Sequence, residues 1–217
     1  MHNENTLHAR CVFSFFVSAS IYKLFVAYNV YKKIDAGAIT YDQTLGESVD
    51  YQTVESCLNR MITISDNDRG VALGSLVGWS KIDALSQEEG YTHTYLNNYK
   101  ADGTLYKDKK TTASDVALLL HRLYTGDLLT QSSTDNFIAL LKADELNMYL
   151  PTGLPAETVI AHKVGYLYGY AHDAGVIYGT KKNVLVVLLT GEWKDSTTQA
   201  PPVFAKLSSE LWTWMEQ

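Results

Sequence analysis

Apolar residues in the first two thirds of the chain recur with the period of a helix. After Ser20 they fall three and four residues apart, which is the stripe of a helix packed on a core, and Gly37 is a plausible stop. A second segment of this kind spans Val54 to Met61 and is interrupted by the run ITISDND. A further helix is expected to begin after Asn67.

The same pattern predicts two more helices downstream. The stretch TTASDVALLLHRLYTGDLL has Thr112 or Ser114 as its cap, an apolar stripe, and Gly126 as its stop. The stretch SSTDNFIALLK repeats this arrangement one helix later. The first two thirds of the chain are therefore expected to form a helical cluster.

After Pro155 the pattern changes to that of β-strands. The runs ETVIAHKVG, DAGVIYG and NVLVVLLTG are rich in β-branched residues and end at glycine, and TKKN fits a hairpin turn between the last two. Helices followed by an antiparallel meander and a final helix predict an α+β fold, a helical cluster packed on an antiparallel sheet. That final helix, PPVFAKLSSELWTWMEQ, is predicted to begin at its prolines and to bury one face: Phe204, Leu207, Leu211 and Met215.

Length and charge narrow the class of protein. The 217 residues, 46% of them hydrophobic and 19% charged, fit one globular domain spanning residues 1–217. The net charge is −6 and no basic stretch is interleaved with aromatics, which argues against a nucleic-acid partner. The one dense basic run, YKDKKTT, is predicted to be a solvated loop rather than a binding patch.

The start of the chain carries a short apolar piece, Cys11 to Ala19. It is too short to span a bilayer, and it runs directly into the Ser20 helix, so we do not interpret it as a removable signal peptide. The two cysteines, Cys11 and Cys57, could pair with each other or could both be buried thiols. We favour the thiols.

Ser20 and Lys23 are the first candidates for chemistry. At positions i and i+3 of a helix their side chains share one face, and a serine hydroxyl needs a base within hydrogen-bond reach to become a nucleophile. Burial and a helix N-terminus both disfavour the charged form of a lysine, so Lys23 could be that base. Taken alone, the pair is also compatible with the first turn of an ordinary buried helix.

Two further pieces are individually weak. Ser65, Asp66 and Asn67 lie between helical segments, where each residue type is also a good helix N-cap. Lys163 lies on a predicted strand, and a buried strand lysine is unusual without a partner. Gly165, two residues later, would let a substrate backbone approach the strand closely.

Taken in order, the three pieces resemble the signature of one family. S-x-x-K at a helix start, S-D-N between helices and K-T/S-G on a strand are the motifs of class A β-lactamases and penicillin-binding proteins. The likeness covers nearly the whole chain, since TTASDVALLLHRLYTGDLL looks like the helix after that family's Ω-loop and HDAGVIYG looks like its next strand. The motifs read here as Ser20-Ile21-Tyr22-Lys23, Ser65-Asp66-Asn67 and Lys163-Val164-Gly165.

The resemblance implies a role for each residue. Ser20 would be the acylated nucleophile and Lys23 its activating neighbour, while Ser65 would pass a proton to the departing amine nitrogen. Asn67 would hold the side-chain amide of the substrate, and Lys163 would supply positive charge near Ser65 and the substrate carboxylate. The backbone N–H groups of Ser20 and of Tyr166 would form the oxyanion hole. The resemblance implies no cofactor and no metal.

The sequence departs from the family pattern on the strand and in the Ω-loop. Val164, which with Gly165 would contact substrate, replaces a hydroxyl residue and cannot donate a hydrogen bond to a substrate carboxylate. The family β-lactamases carry E-x-x-L-N, whose glutamate activates the deacylating water, and the best match here is HTYLN. His93 then occupies the glutamate position as a possible deacylation base, or it is a surface loop residue.

A third departure lies at the N-terminus. The family normally has a helix and two strands before the nucleophile, but only 19 residues precede Ser20. The sheet is therefore expected to be short of its N-terminal strands, with residues 1–19 supplying one at most. An uncovered strand edge would invite pairing or self-association.

The resemblance implies a serine hydrolase or acyltransferase acting on β-lactams or on D-Ala-D-Ala-type peptidoglycan peptides. Because the usual glutamate is absent, slow deacylation of the acyl-enzyme on Ser20 is expected. The family resemblance also implies an extracytoplasmic location, periplasmic or at the cell surface. The alternative is a non-catalytic penicillin-binding-like module that binds cell-wall peptide or a partner protein.

Overall fold

The computed structural model describes residues 13–97 and 108–217, and within these ranges the chain forms seven α-helices and five strands. The helices are α1 (Tyr22–Asp35), α2 (Val54–Thr63), α3 (Asn67–Val77), α4 (Trp79–Glu88), α5 (Ala113–Thr125), α6 (Gln131–Lys142) and α7 (Ser196–Met215). The strands are β1 (Phe16–Val17), β2 (Lys110–Thr111), β3 (Val159–Leu167), β4 (Tyr170–Tyr178) and β5 (Asn183–Thr190).

The main sheet is an antiparallel meander in the order β3-β4-β5. Gly165 of β3 pairs with His172 of β4, and this register decides which side chains face the helical cluster. The two-residue strand β1 pairs instead with β2, apart from the main sheet. Among the described residues the main sheet thus has three strands, and residues before Ser20 add none to it.

Two apolar clusters hold the layers together. The larger one joins α1, α2, α3 and α5 to one face of the sheet, where Ala161 and Ala174 lie. The smaller one joins the opposite face, including Val164, to α7 through Phe204 and Met215. This arrangement confirms the predicted α+β fold, with the helical cluster on one face of an antiparallel sheet.

Side-chain caps and glycine stops account for most of the helix boundaries that the sequence predicts. Thr112, rather than Ser114, caps α5, because its side chain accepts a hydrogen bond from the amide of Asp115. Gly126 ends the same helix at a φ of 78°, a conformation that glycine adopts without cost. Helix α4 was not predicted.

The predicted start of the final helix is wrong, whereas its predicted face is confirmed at Phe204, Leu211 and Met215 and fails only at Leu207. Helix α7 begins at Ser196, where the Asp195 side chain caps the amide of Thr197, and so it already includes the two prolines. Leu207 is 45% exposed, because the buried face passes through Phe204 and Ser208 instead. Ser208 packs closely against Gly153, since an added Cβ at Gly153 would lie 2.4 Å from the Ser208 hydroxyl.

Two remaining expectations concern membrane-spanning segments and the two cysteines. Among the described residues, no helix is both long enough and apolar enough to cross a membrane. Cys57 is a buried free thiol, whereas Cys11 lies outside the described residues.

Candidate active site

Ser20 lies at the junction between β1 and α1. It occupies a short 3-10 turn, Ala19–Ile21, that leads directly into the helix. Ala19 has a φ of +42°, a left-handed conformation that an alanine rarely adopts. Non-glycine residues held in such conformations concentrate at functional sites, because only a well-determined surrounding structure retains them.

Lys23 lies one turn further along, and its ammonium group joins the first two motifs. Its Nζ lies 3.2 Å from Ser20 Oγ, 3.1 Å from Ser65 Oγ and 2.8 Å from Asn67 Oδ1. The Ser65 carbonyl oxygen also accepts a hydrogen bond from this nitrogen. The side chain is fully buried. One lysine thus contacts both predicted serines and the predicted asparagine.

The environment of Lys23 favours its neutral form. Burial, reinforced by the positive charge of nearby Lys163, lowers the pKa of Lys23 from 10.5 to about 7. Asp66 and Asp144 act in the opposite direction, with a smaller effect. At neutral pH a sizeable fraction of this amine is therefore unprotonated and able to accept a proton from a hydroxyl.

The Ser65-Asp66-Asn67 segment forms the turn between α2 and α3. Asp66 caps α3 by accepting a hydrogen bond from the amide of Arg69 at 3.2 Å. Ser65 adopts a left-handed φ of 57°, and Asn67 is the first residue of the helix. The segment therefore serves both as a helix cap, through Asp66, and as a group of side chains facing Lys23.

Lys163 is fully buried on β3 and is paired with Asp144. Its Nζ donates to Asp144 Oδ2 at 3.3 Å, and neither side chain is exposed to solvent. Burial lowers the pKa of Lys163 and raises that of Asp144, and their mutual attraction acts against both shifts. Lys163 influences Lys23 electrostatically, but its own charge is balanced by a carboxylate of the protein.

The rest of the strand motif divides between the two faces of the sheet. An added Cβ on Gly165 would lie 3.2 Å from the amide nitrogen of Ser20, so the missing side chain lets β3 approach the Ala19–Ile21 turn that carries Ser20. Val164 points the other way and is fully buried in the cluster beneath α7. This orientation leaves its side chain no surface toward Ser20. Tyr166, at the end of β3, is half exposed.

A groove of about 650 Å³ runs past these residues. Ser20, Ser65, Asn67 and Tyr166 all line it, while Lys23 and Lys163 are buried and do not. The described residues thus bring Ser20, Lys23, Ser65 and Asn67 together around one amine at the groove.

Lys109 also lines the groove, which sequence reasoning did not anticipate. Its Nζ lies 4.2 Å from the ring centroid of Trp79 and 5.3 Å from that of Tyr22. Burial lowers the pKa of Lys109 to about 8. The prediction of a solvated loop is therefore wrong at Lys109, and Lys110 begins β2, while Tyr106 and Lys107 of the same run lie outside the described residues.

His93 is not among the described residues that line the groove. Its ring lies near those of Phe13 and Phe15, at centroid distances of 5.8 and 5.7 Å. Its Nδ1 contacts the Thr92 hydroxyl at 3.0 Å, and its backbone amide donates to Asp115. The described structure does not bring His93 together with Ser20 and Lys23.

Comparison with known proteins decides the family. A family model described as "Beta-lactamase enzyme family" matches residues 14–215. The chain belongs to this family. Membership supports an activity of the serine-hydrolase type, and the three ordered motifs are the residues on which the predicted resemblance rested.

Solved structures of β-lactamases and of PBP-A are similar to this chain in fold. A point mutant of PBP-A, solved as an acyl-enzyme complex with penicillin G, has a TM-score of 0.81 at 24% identity, and the match covers 94% of this chain and 83% of that one. An ancestral class A β-lactamase gives 0.83 at 24%, covering 94% and 87%. A β-lactamase from Chitinophaga pinensis DSM 2588 gives 0.83 at 18%, again covering 94% and 87%.

Proposed function

We propose that this chain is a serine acyl-enzyme-forming hydrolase whose substrates are β-lactams or D-Ala-D-Ala-type peptides of peptidoglycan. The observation that carries the proposal is the contact of Lys23 Nζ with Ser20 Oγ at 3.2 Å. A lysine whose pKa is about 7 has the proton affinity that a general base needs at neutral pH. The chain is proposed to act as one domain, outside the cytoplasm.

The acylation step uses groups already within contact. The neutral amine of Lys23 takes the proton from Ser20 Oγ as that oxygen bonds to the substrate carbonyl carbon. The amides of Ser20 and Tyr166 stabilise the resulting oxyanion, and such stabilisation usually contributes most to the rate of this kind of reaction. The carbon–nitrogen bond then breaks, and the departing nitrogen receives the proton from Lys23 by way of the Ser65 hydroxyl, which lies 3.1 Å from Lys23 Nζ.

Substrate recognition is proposed to depend more on Asn67 than on the strand motif. Asn67 lines the groove, and its Oδ1 accepts from Lys23, which orients its amide group toward a side-chain amide of the substrate. Val164 contributes no side-chain contact, and the charge of Lys163 is balanced by Asp144. Both features support weak recognition of a substrate carboxylate.

Deacylation is proposed to be slow. Hydrolysis of the ester needs a base directed at a water molecule. In the family pattern, His93 occupies the position of that base. His93 does not line the groove among the described residues. Loss of a general base costs about 10²- to 10⁴-fold in the step it serves. The covalent adduct on Ser20 should therefore accumulate.

Intact-mass spectrometry after mixing with penicillin G tests the proposal. We expect a mass increase equal to one whole penicillin molecule, because opening the lactam ring releases no fragment, and we expect it to persist for many minutes. Ser20→Ala should take up no adduct, and His93→Ala should behave as the wild type. If penicillin neither labels the protein nor is consumed, the proposed enzyme is refuted and the non-catalytic binding module is the remaining alternative. Rapid turnover without an adduct would refute slow deacylation.

A further inference from the structure

The peptide unit that joins Val17 to Ser18 is held at both of its ends. The carbonyl oxygen of Val17 accepts a hydrogen bond from His172 Nε2 at 2.8 Å. The amide of Ser18 donates to the carbonyl oxygen of Lys109, also at 2.8 Å. Only Ala19 separates this peptide unit from Ser20, so its position determines where the nucleophile segment begins.

The partners of His172 fix its tautomer. The amide of Thr190 donates to His172 Nδ1 at 3.1 Å, so Nδ1 is an acceptor and Nε2 carries the proton. The side chain is fully buried, with the Phe16 ring at a centroid distance of 6.1 Å. Burial lowers the pKa of His172, which keeps the ring neutral. His172 does not line the groove in the described part of the chain.

The strained residue lies directly after the held peptide unit. Ala19 has a φ of +42°, and such a conformation persists only where neighbouring contacts determine it. On one side His172 and Lys109 hold the chain, and on the other the Ile21 amide donates to the Ser18 carbonyl at 2.9 Å. These contacts leave the segment one orientation in which to present Ser20.

The same histidine links the two amides that would bind an oxyanion. His172 pairs with Gly165 across β3 and β4, and Gly165 lies against the amide of Ser20. Tyr166 follows Gly165 on β3. A hydrogen bond from His172 to Val17 therefore ties the strand pair that carries one amide to the segment that carries the other.

We propose that His172 is a positioning residue for acylation: by holding the Val17 carbonyl it fixes the Ser20 amide relative to the Tyr166 amide. It does not line the groove among the described residues, so it would act through the backbone that carries Ser20 rather than on the substrate. The inference rests on the proposed function, since an oxyanion forms only if Ser20 is acylated. Its failure and the failure of that function can be told apart, because backbone mobility is measurable without any substrate.

The decisive comparison uses two substitutions of His172 and one control. His172→Leu removes both hydrogen bonds at similar volume, whereas the amide of His172→Gln can still donate to Val17 and accept from Thr190. His162→Gln is the control, because His162 is equally buried on the same sheet but faces the opposite side, where it contacts Asp173. The His162→Gln variant shows how far lost stability alone lowers the rate of acylation.

We expect His172→Leu to be acylated by penicillin about 10- to 100-fold more slowly than the wild type, well below its melting temperature. His172→Gln should recover most of that rate, and His162→Gln should retain the wild-type rate. Amide hydrogen exchange of residues 16–21 should be faster in His172→Leu only.

The exchange and acylation data separate a positioning role of His172 from a role in the core alone. Wild-type exchange of residues 16–21 in His172→Leu would overturn the inference even if penicillin labels the protein. An equal loss of rate in His162→Gln, or no recovery in His172→Gln, would reduce His172 to a core residue. No adduct on the wild type would overturn the proposed function and the acylation role with it, while the exchange data would still show whether His172 holds the segment.

Discussion

Substitution of Gly165 by alanine tests the contact between β3 and the Ala19–Ile21 turn that carries Ser20. The added methyl carbon would lie 2.9 Å from Ile21 Cγ1, 3.1 Å from the Ile21 amide nitrogen and 3.2 Å from the Ser20 amide nitrogen. Two of these three atoms belong to the backbone, so a side-chain rotation cannot relieve the crowding. Strand β3 and the Ala19–Ile21 turn must move apart by a few tenths of an ångström or more.

The expected cost follows from overpacking. Forcing one extra carbon into a packed site costs about 1–3 kcal/mol. For a chain of this size each kcal/mol lowers the melting temperature by about 2–4 °C, so Gly165→Ala should melt about 2–12 °C below the wild type. The same movement separates the amides of Ser20 and Tyr166. Misplacement on the ångström scale costs about 10²-fold in rate, so acylation should fall by up to that factor.

Gly46 provides a matched control in the same chain. An added Cβ there meets nothing within 4 Å, and its φ of −75° suits any residue. Gly46→Ala should remain within about 0.5 kcal/mol of the wild type and should be acylated at the wild-type rate. Thermal denaturation and the rate of adduct formation by intact mass provide the two measurements. A Gly165→Ala variant that melts and reacts like Gly46→Ala would refute the close approach of β3 to Ser20.

Three further predictions concern buried charges. The acylation rate should fall about tenfold per pH unit below pH 7 and level off above it, because Lys23 acts as a base only when neutral; a flat stopped-flow profile down to pH 5 would exclude this role. Asp144→Asn should lower the free energy of unfolding, measured in urea, by about 3–5 kcal/mol, because Lys163 then lies buried without its partner. Adding Lys163→Met to this variant should restore most of the lost stability. Burial lowers the pKa of His162, but the charge and hydrogen bond of Asp173, together with the charge of Asp144, raise it above 6.5. The pair with Asp173 therefore stabilises the fold fully below about pH 6.5 and less as the pH rises through the pKa of the folded state. Asp173→Asn should therefore cost more stability at pH 5.5 than at pH 9, and a pH-independent difference would argue against the ion pair.

The apolar pattern was sufficient for the elements that bury long apolar runs. The three strands of the sheet and the helix that begins after Ser20 were predicted because each has a regular apolar pattern and a local stop such as Gly37. Helix α4 was missed because it buries mainly Trp79 and Ile82, too few positions to define a stripe. The start of α7 was misplaced because Pro201 is typical of a first turn, although Asp195 caps the helix a full turn earlier.

The site was predictable as far as its motifs extend. The grouping of Ser20 and Ser65 around Lys23 could be predicted because the order of the three motifs is distinctive, although each motif alone is weak. Asp144 and His172 were not found, because nothing in their neighbourhoods along the chain marks them. Their importance comes from long-range contacts, with Lys163 and with the Val17 carbonyl, which only the folded chain reveals.

The distribution of the site along the chain has a consequence for folding. Ser20 lies near the beginning, Ser65 lies after the second helix, and Lys163 is on a strand formed near the end. Contacts so far apart in sequence require costly loop closure and generally form late. Until β3 docks, the Tyr166 amide proposed for the oxyanion hole is not in place, and the positive charge of Lys163 is not yet near Lys23 to lower its pKa. Covalent labelling by penicillin should therefore serve as a clock for refolding, because it counts only molecules in which the first and last parts of the chain have met.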